Sequence, residues 1–170
     1  MPSNKVELAL EDGMRIAHRF LEIAEPIVGI KAFEIAGSIR RLRPVVHDVD
    51  IVFKPIVTEQ PSRVQELRAF CDRAPNVEVH NMPFDLYFST PETFQTLLLI
   101  RTGSKENNIR LCQLAQRKGW KLSPDGLFNA SGRRVRWHCA SGTSELQTEH
   151  DIYDALGVPW QEPWEREVKR

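Results

Sequence analysis

Cysteine is scarce in this 170-residue sequence: Cys71, Cys112 and Cys139 are odd in number and far apart. That excludes a disulfide framework and a cysteine-based zinc site, and points to idle thiols in a reducing compartment. Long apolar runs are missing too. None approaches the ~18 residues needed to cross a bilayer, so no membrane partner is expected. The opening MPSNKVELALEDG lacks the charged-then-apolar order of a secretory signal and already carries acids. Together these absences give the expectation of a soluble, cytoplasmic protein. There is no internal repeat and no low-complexity tract. The histidines His18, His47, His80, His138 and His150 show no metal-ligand spacing, and His47 reads as a loop residue pointing to solvent. Nor is there an excess of charge of one sign: 23 Lys and Arg balance 23 Asp and Glu.

What is present is an ordinary globular balance, 41% hydrophobic and 27% charged, which argues against disorder. The neutral total hides an uneven spread. From Arg101 to Arg136 there are nine Lys and Arg against two acids, a local +7. From Trp137 to Arg170 seven acids face three bases, a local −4. Basic faces attract phosphate backbones, and a solvated surface with chance clustering is the plainer alternative.

The chain reads as α+β, in two units. Ser3 or Asn4 can cap a first helix to about Ile27, with an apolar stripe of Leu10, Met14, Ala17, Leu21 and Ala24. Strands follow at Ala32 to Ala36 and Asp48 to Phe53, then a helix over 61–75 capped by Ser62 and stopped by Pro75. VEVHN and FDLYF alternate like strands. This first unit, 1–91, is a mixed sheet with helices on it. The second, 92–170, opens with a helix capped by Thr90, with Pro91 at its first position, running to Ile100. A further helix is capped by Thr102 or Ser104 and closed by Gly119. A small antiparallel sheet turns at Pro124-Asp125-Gly126 and around Ser131-Gly132. Thr148 and Asp151 form a capping box on a last helix, which Gly157 ends. Trp120, Trp137, Trp160 and Trp164 read as packing of this unit.

The chemistry sits in EIAGSIRRLRPVVHDVDIVFKP, Glu34 to Pro55. Asp48 and Asp50 are two apart on a strand, so both leave one face. Adjacent carboxylates repel and raise each other's pKa unless a cation lies between them. Mg²⁺ meets that need, because it takes hard oxygen ligands together with substrate phosphates. Asp85, in FDLYF, makes a third acid if its strand pairs beside the first. Three acids suit two metals that activate an attacking oxygen and steady a leaving group. Upstream, Gly37 allows close backbone approach to a phosphate, the Ser38 hydroxyl can donate to it, and Arg40 and Arg41 offer guanidinium forks. A D-x-D pair alone is weak; the ordered set is not.

GSIRR followed by DVD resembles the signature of the nucleotidyltransferase superfamily, and within it the family X DNA polymerases. RTGSKENNIRLCQLAQRKGWKLSPDGLF is similar to that family's thumb, and TEHDIYDALGVPWQEPWER to its C-terminal end. The resemblance implies a palm over 1–91 and a small α+β thumb over 92–170, with no lyase domain and no helix-hairpin-helix module. It implies metal binding and catalysis by Asp48, Asp50 and Asp85, with two Mg²⁺ ions, or Mn²⁺. It implies nucleotide binding by Gly37, Ser38, Arg41, Ile100, Arg101, Thr102, Gly103, Ser104 and Asn108. For DNA contacts, the basic stretch offers Lys105, Arg110, Lys118, Lys121, Arg133, Arg134 and Arg136. The partners implied are primer–template or gapped DNA and dNTP, with the protein acting as a monomer. One departure stands out: relatives commonly place Tyr-Phe before T-G-S, as a filter against ribonucleotides, and here Ile100-Arg101 stands there. Relaxed discrimination between dNTP and rNTP is the expectation. The leading reading is short gap filling in DNA repair. A template-independent terminal transferase, a nucleotidyltransferase acting on RNA or a small molecule, and a module that only binds are the competitors.

Overall fold

The computed structural model describes residues 7–28, 33–54, 83–139, 142–145 and 148–167. Along them run β1 (Leu8–Ala9), α1 (Leu10–Val28), β2 (Phe33–Ile35), α2 (Gly37–Arg40), β3 (Val45–Val46), β4 (Val49–Phe53) and β5 (Phe84–Phe88). Next come α3 (Phe94–Thr102), α4 (Lys105–Arg117), β6 (Lys121–Ser123), β7 (Gly126–Phe128), β8 (Arg136–Cys139), β9 (Gly142–Glu145), α5 (Glu149–Leu156) and a 3-10 turn at Pro163–Glu165. The α+β class is as expected, while β1, α2, β3 and β9 are elements that the sequence did not announce. The helix expected over 61–75 and the strand over 77–81 lie outside the described residues.

The main sheet has the order β2-β4-β5, antiparallel on one side of β4 and parallel on the other. Alternation gives this sheet two different faces. Val49, Ile51 and Phe53 of β4 point one way, joined by Phe33, Ile35, Phe84, Leu86 and Phe88. They pack on the α1 stripe of Ile16, Ala17, Phe20, Leu21 and Ala24. Phe53 and Phe88 stack at 4.9 Å. The fully buried ones among these, such as Val49, Ile51 and Phe53, are each worth about 1.5–3 kcal/mol. The opposite face carries Val52 and Tyr87, which meet Ala36 and the α3 residues Phe94, Leu97 and Leu98. Asp50 and Asp85 share the parity of that second face. The sheet therefore buries its acid-bearing strand without burying the acids in the α1 core.

Helix α3 is apolar on both sides. Phe94, Leu97 and Leu98 face the main sheet, whereas Leu99 belongs to a second core with Leu111, Ala115, Leu122, Leu127, Ile152 and Tyr153. A helix with two apolar sides packs between two cores. It joins the two halves.

Four boundaries differ from the expectations. The first helix starts at Leu10, because Leu8 and Ala9 pair with Val46 and Val45 instead of winding. The third helix starts at Phe94: the Thr90 amide donates to Thr93 Oγ1 at 2.8 Å, and residues 91–93 form a turn. It also runs past Ile100 to Thr102. Strand β4 begins at Val49, leaving Asp48 just before it. Trp120 and Trp160 pack on the second core as expected, but Trp164 is 54% exposed. The Ser104 cap on α4 and the Thr148–Asp151 capping box on α5 form as expected, and α5 ends at Gly157 in the left-handed region.

Candidate active site

The register of β4 and β5 places Asp50 directly opposite Asp85. Asp48, two residues before Asp50, is near enough for its charge to act there. Burial, then the charges of Asp48 and Asp85, push the Asp50 carboxyl up to about 6. The three acids are thus one electrostatic unit. The Tyr87 hydroxyl donates to Asp50, and the Arg101 charge also acts on that carboxylate; both favour its ionised form. Burial and the Asp50 charge in turn hold the Tyr87 hydroxyl up at about 12.

Gly37 opens α2 with φ +59, and a Cβ there would overlap the Asp50 carboxylate. Glycine is needed at this position for that approach as well as for its backbone conformation. The close neighbour is the acid, where the sequence pointed to a phosphate. Ser38 Oγ is buried and has no hydrogen-bond partner among the described residues. A buried hydroxyl without a partner is costly, and a ligand acceptor would satisfy it.

The two arginines of GSIRR are already engaged. Arg40 donates to Glu149 Oε2 at 2.6 Å and to Thr102 Oγ1 at 2.7 Å. Arg41 donates to Glu167 Oε1 at 2.6 Å and to the Thr102 carbonyl. Arg41 therefore lies against the Thr102-Gly103 turn, with Glu167 holding its Nε. Ser104 Oγ caps α4 and donates to the Arg166 carbonyl at 2.7 Å. Asn108 Nδ2 donates to the Ile100 carbonyl at 2.8 Å, while its buried Oδ1 has no partner among the described residues. Arg101 lies with Cζ 4.0 Å from the centre of the Tyr87 ring.

The structure brings Gly37, Ser38, Asp48, Asp50, Asp85 and Arg101 to one end of the main sheet, and ties Arg41 to Thr102. The basic candidates divide. Lys118 donates to the Ala155 carbonyl at 2.8 Å, Arg110 to Asn107 and Gln161, and Arg134 to the Glu92 carbonyl at 3.1 Å. Lys105, Lys121, Arg133 and Arg136 are exposed, and their side chains have no hydrogen bond or ion pair among the described residues. Sequence reasoning missed Tyr87, Glu149, Arg166 and Glu167, and it offered Arg40 to an anion where the structure gives it to Glu149. Tyr87 was within reach, since it lies two residues after Asp85 in an alternating strand.

Among the described residues, no three His, Cys, Asp or Glu side chains are already gathered as a metal cage. The donor set nevertheless fits a hard divalent cation. It is all carboxylate, and crowding by like charge makes a cation favourable there.

An acid-lined end of a mixed sheet beside a Gly-Ser turn, joined to a small α+β unit, is the arrangement that the resemblance to nucleotidyltransferases implied. Comparison with known proteins agrees. Residues 97–167 match the DNA polymerase beta thumb family. The chain is 28% identical, over 173 aligned positions covering 91% of it, to the DNA polymerase/3'-5' exonuclease PolX of Bacillus subtilis. It is 41% identical over 73 residues, 42% of its length, to DNA polymerase lambda of Arabidopsis thaliana. It spans 27% of the first relative and 14% of the second. The fold matches Leishmania infantum polymerase beta in its ternary P/T complex, with a TM-score of 0.73 at 21% identity, over 96% of this chain and 77% of that one. The chain is thus similar to family X DNA polymerases over most of its length, and its residues 97–167 match the thumb of that family.

Proposed function

We propose that the chain is a DNA polymerase that adds nucleotides to a primer 3′-hydroxyl by in-line phosphoryl transfer. The observation that carries this reading is the Asp50–Asp85 register, with Asp48 acting on the same carboxylate. Asp48, Asp50 and Asp85 would hold two Mg²⁺ or Mn²⁺ ions, which supply charge neutralisation of the triphosphate and of the attacking oxygen. The buried Ser38 hydroxyl is suited to donate to a nucleotide phosphate. Arg41 could reach the same phosphates by exchanging Glu167 for them. Thr102-Gly103-Ser104 would lie under the sugar and Asn108 near the base. The division near residue 91 gives a palm and a thumb, and DNA would lie along exposed cations of the thumb.

Arg101 in place of an aromatic supports relaxed exclusion of ribonucleotides, because its guanidinium rests on Tyr87 instead of walling off the sugar. Short gap filling by a monomer, in DNA repair, is the role we assign. The test is incorporation of each dNTP and rNTP on gapped, recessed and single-stranded substrates. Templated addition on gapped DNA, with rNTP accepted, is expected. Untemplated addition alone would replace this reading by terminal transfer. Strong exclusion of rNTP would remove the sugar-filter reading.

A further inference from the structure

Arg101 lies in the last turn of helix α3, is exposed, and has no carboxylate within ion-pair distance among the described residues. Its neighbours in the site differ from it in this. Arg40, Arg41 and Arg166 are each tied to a glutamate. The Arg101 guanidinium instead rests on the Tyr87 ring, 4.0 Å from its centre. Tyr87 shares a strand face with Asp85, and Asp85 faces Asp50 across the strand pair. The Tyr87 hydroxyl donates to Asp50, so ring and hydroxyl together connect the guanidinium to the carboxylates. The Arg101 charge acts on both Asp50 and Tyr87. A cation is thus held on an aromatic seat with its charge reaching Asp50, and among the described residues it is ion-paired with no carboxylate.

We propose that Arg101, seated on Tyr87, is the carboxylate trio's own counter-ion and competes with divalent cations for it, so that this pair sets the affinity of the metal site. The proposal rests on the reading of Asp48, Asp50 and Asp85 as metal ligands. A fixed positive charge several ångströms from an incoming divalent ion opposes its binding. In a largely solvated site that opposition amounts to about three- to tenfold in affinity. Arg101 and Tyr87 are positioning residues here, acting through the carboxylates.

The experiment is titration of the whole chain with Mn²⁺ alone, without DNA or nucleotide, at fixed pH and ionic strength. Free Mn²⁺ is read by electron paramagnetic resonance. Arg101→Gln is expected to bind Mn²⁺ about three- to tenfold more tightly than the parent. Arg101→Lys, which keeps the charge, stays near the parent value. Tyr87→Leu removes the seat and tightens binding, and the double variant gains nothing over Arg101→Gln. Unchanged or weaker binding by Arg101→Gln overturns the proposal. Asp50→Asn separates the two claims. If it leaves Mn²⁺ binding intact, the metal-site reading fails. If it weakens binding while Arg101→Gln changes nothing, only the counter-ion role fails.

Discussion

Asp50 is where the demands of folding and of the site oppose each other. Its carboxyl is raised from an ordinary 3.8 to about 6 by burial and by Asp48 and Asp85. A raised pKa means that the folded chain binds this proton more tightly than the unfolded chain does. The stability from Asp50 is therefore complete below about pH 4 and lost as pH rises through about 6. Above that, the ionised carboxylate burdens the metal-free fold. Discounted for partial solvent access, the burden is about 1–2 kcal/mol. Asp50→Asn should then melt about 3–6 °C above the parent at pH 7.5 in chelator, with the gap closing towards pH 4. The same change should abolish nucleotide addition. If the Asp50→Asn protein melts at or below the parent at pH 7.5, the electrostatic account of this site is refuted.

At the scale of elements, one carboxylate binds the two halves together. Glu149, in the first turn of α5, is 5% exposed and receives Arg40 from α2 and Arg166 from the C-terminal segment, at 2.6 and 3.0 Å. Arg166 is itself fully buried, with Cζ 4.9 Å from the Trp160 ring centre and 5.5 Å from that of Tyr153. Removing the carboxylate would leave the fully buried Arg166 guanidinium and the half-buried Arg40 guanidinium without their anion. Glu149→Ala should cost about 3–5 kcal/mol in urea unfolding, against a change within about 0.5 kcal/mol for exposed Glu106→Gln. A loss below about 1 kcal/mol would show that the network does not hold the helices together. This network was invisible in the sequence for a physical reason. Arg40 and Glu149 lie 109 positions apart, and no periodicity links them. What was legible was local: the Ser104 cap, the Thr148–Asp151 box, and the two-residue spacing of Asp48 and Asp50, whereas Asp85 joined them only through the strand pairing. Strands β1 and β3 have two residues each, too few to show a period, and they displaced the start of the first helix. The seat of Arg101 on Tyr87 needed the packing of α3 on the sheet, which no local pattern encodes.

For the whole molecule the question is how a chain of zero net charge would hold the DNA proposed as its partner. Its field is uneven, with a local +7 between Arg101 and Arg136. Not all of that charge is equally available. Lys118, Arg110 and Arg134 donate to groups of the protein itself. Lys105, Lys121, Arg133 and Arg136 present their charge to solvent. If these four take phosphates, each releases about 0.9 counterion from duplex DNA, and the affinity falls with salt on a log–log slope of about −3 to −4. The combined change of Lys121, Arg133 and Arg136 to Ala should flatten that slope by about 2–3 and weaken binding at low salt without moving the melting temperature. Arg19→Ala, on α1 and paired with Glu22, should leave the slope unchanged. Fluorescence anisotropy of a labelled gapped duplex between 50 and 200 mM salt, on the order of the range in which such contacts are lost, reads both. A triple variant with the parent's slope would move the DNA interface away from the thumb's exposed cations, and the uneven charge would then be a matter of solvation alone.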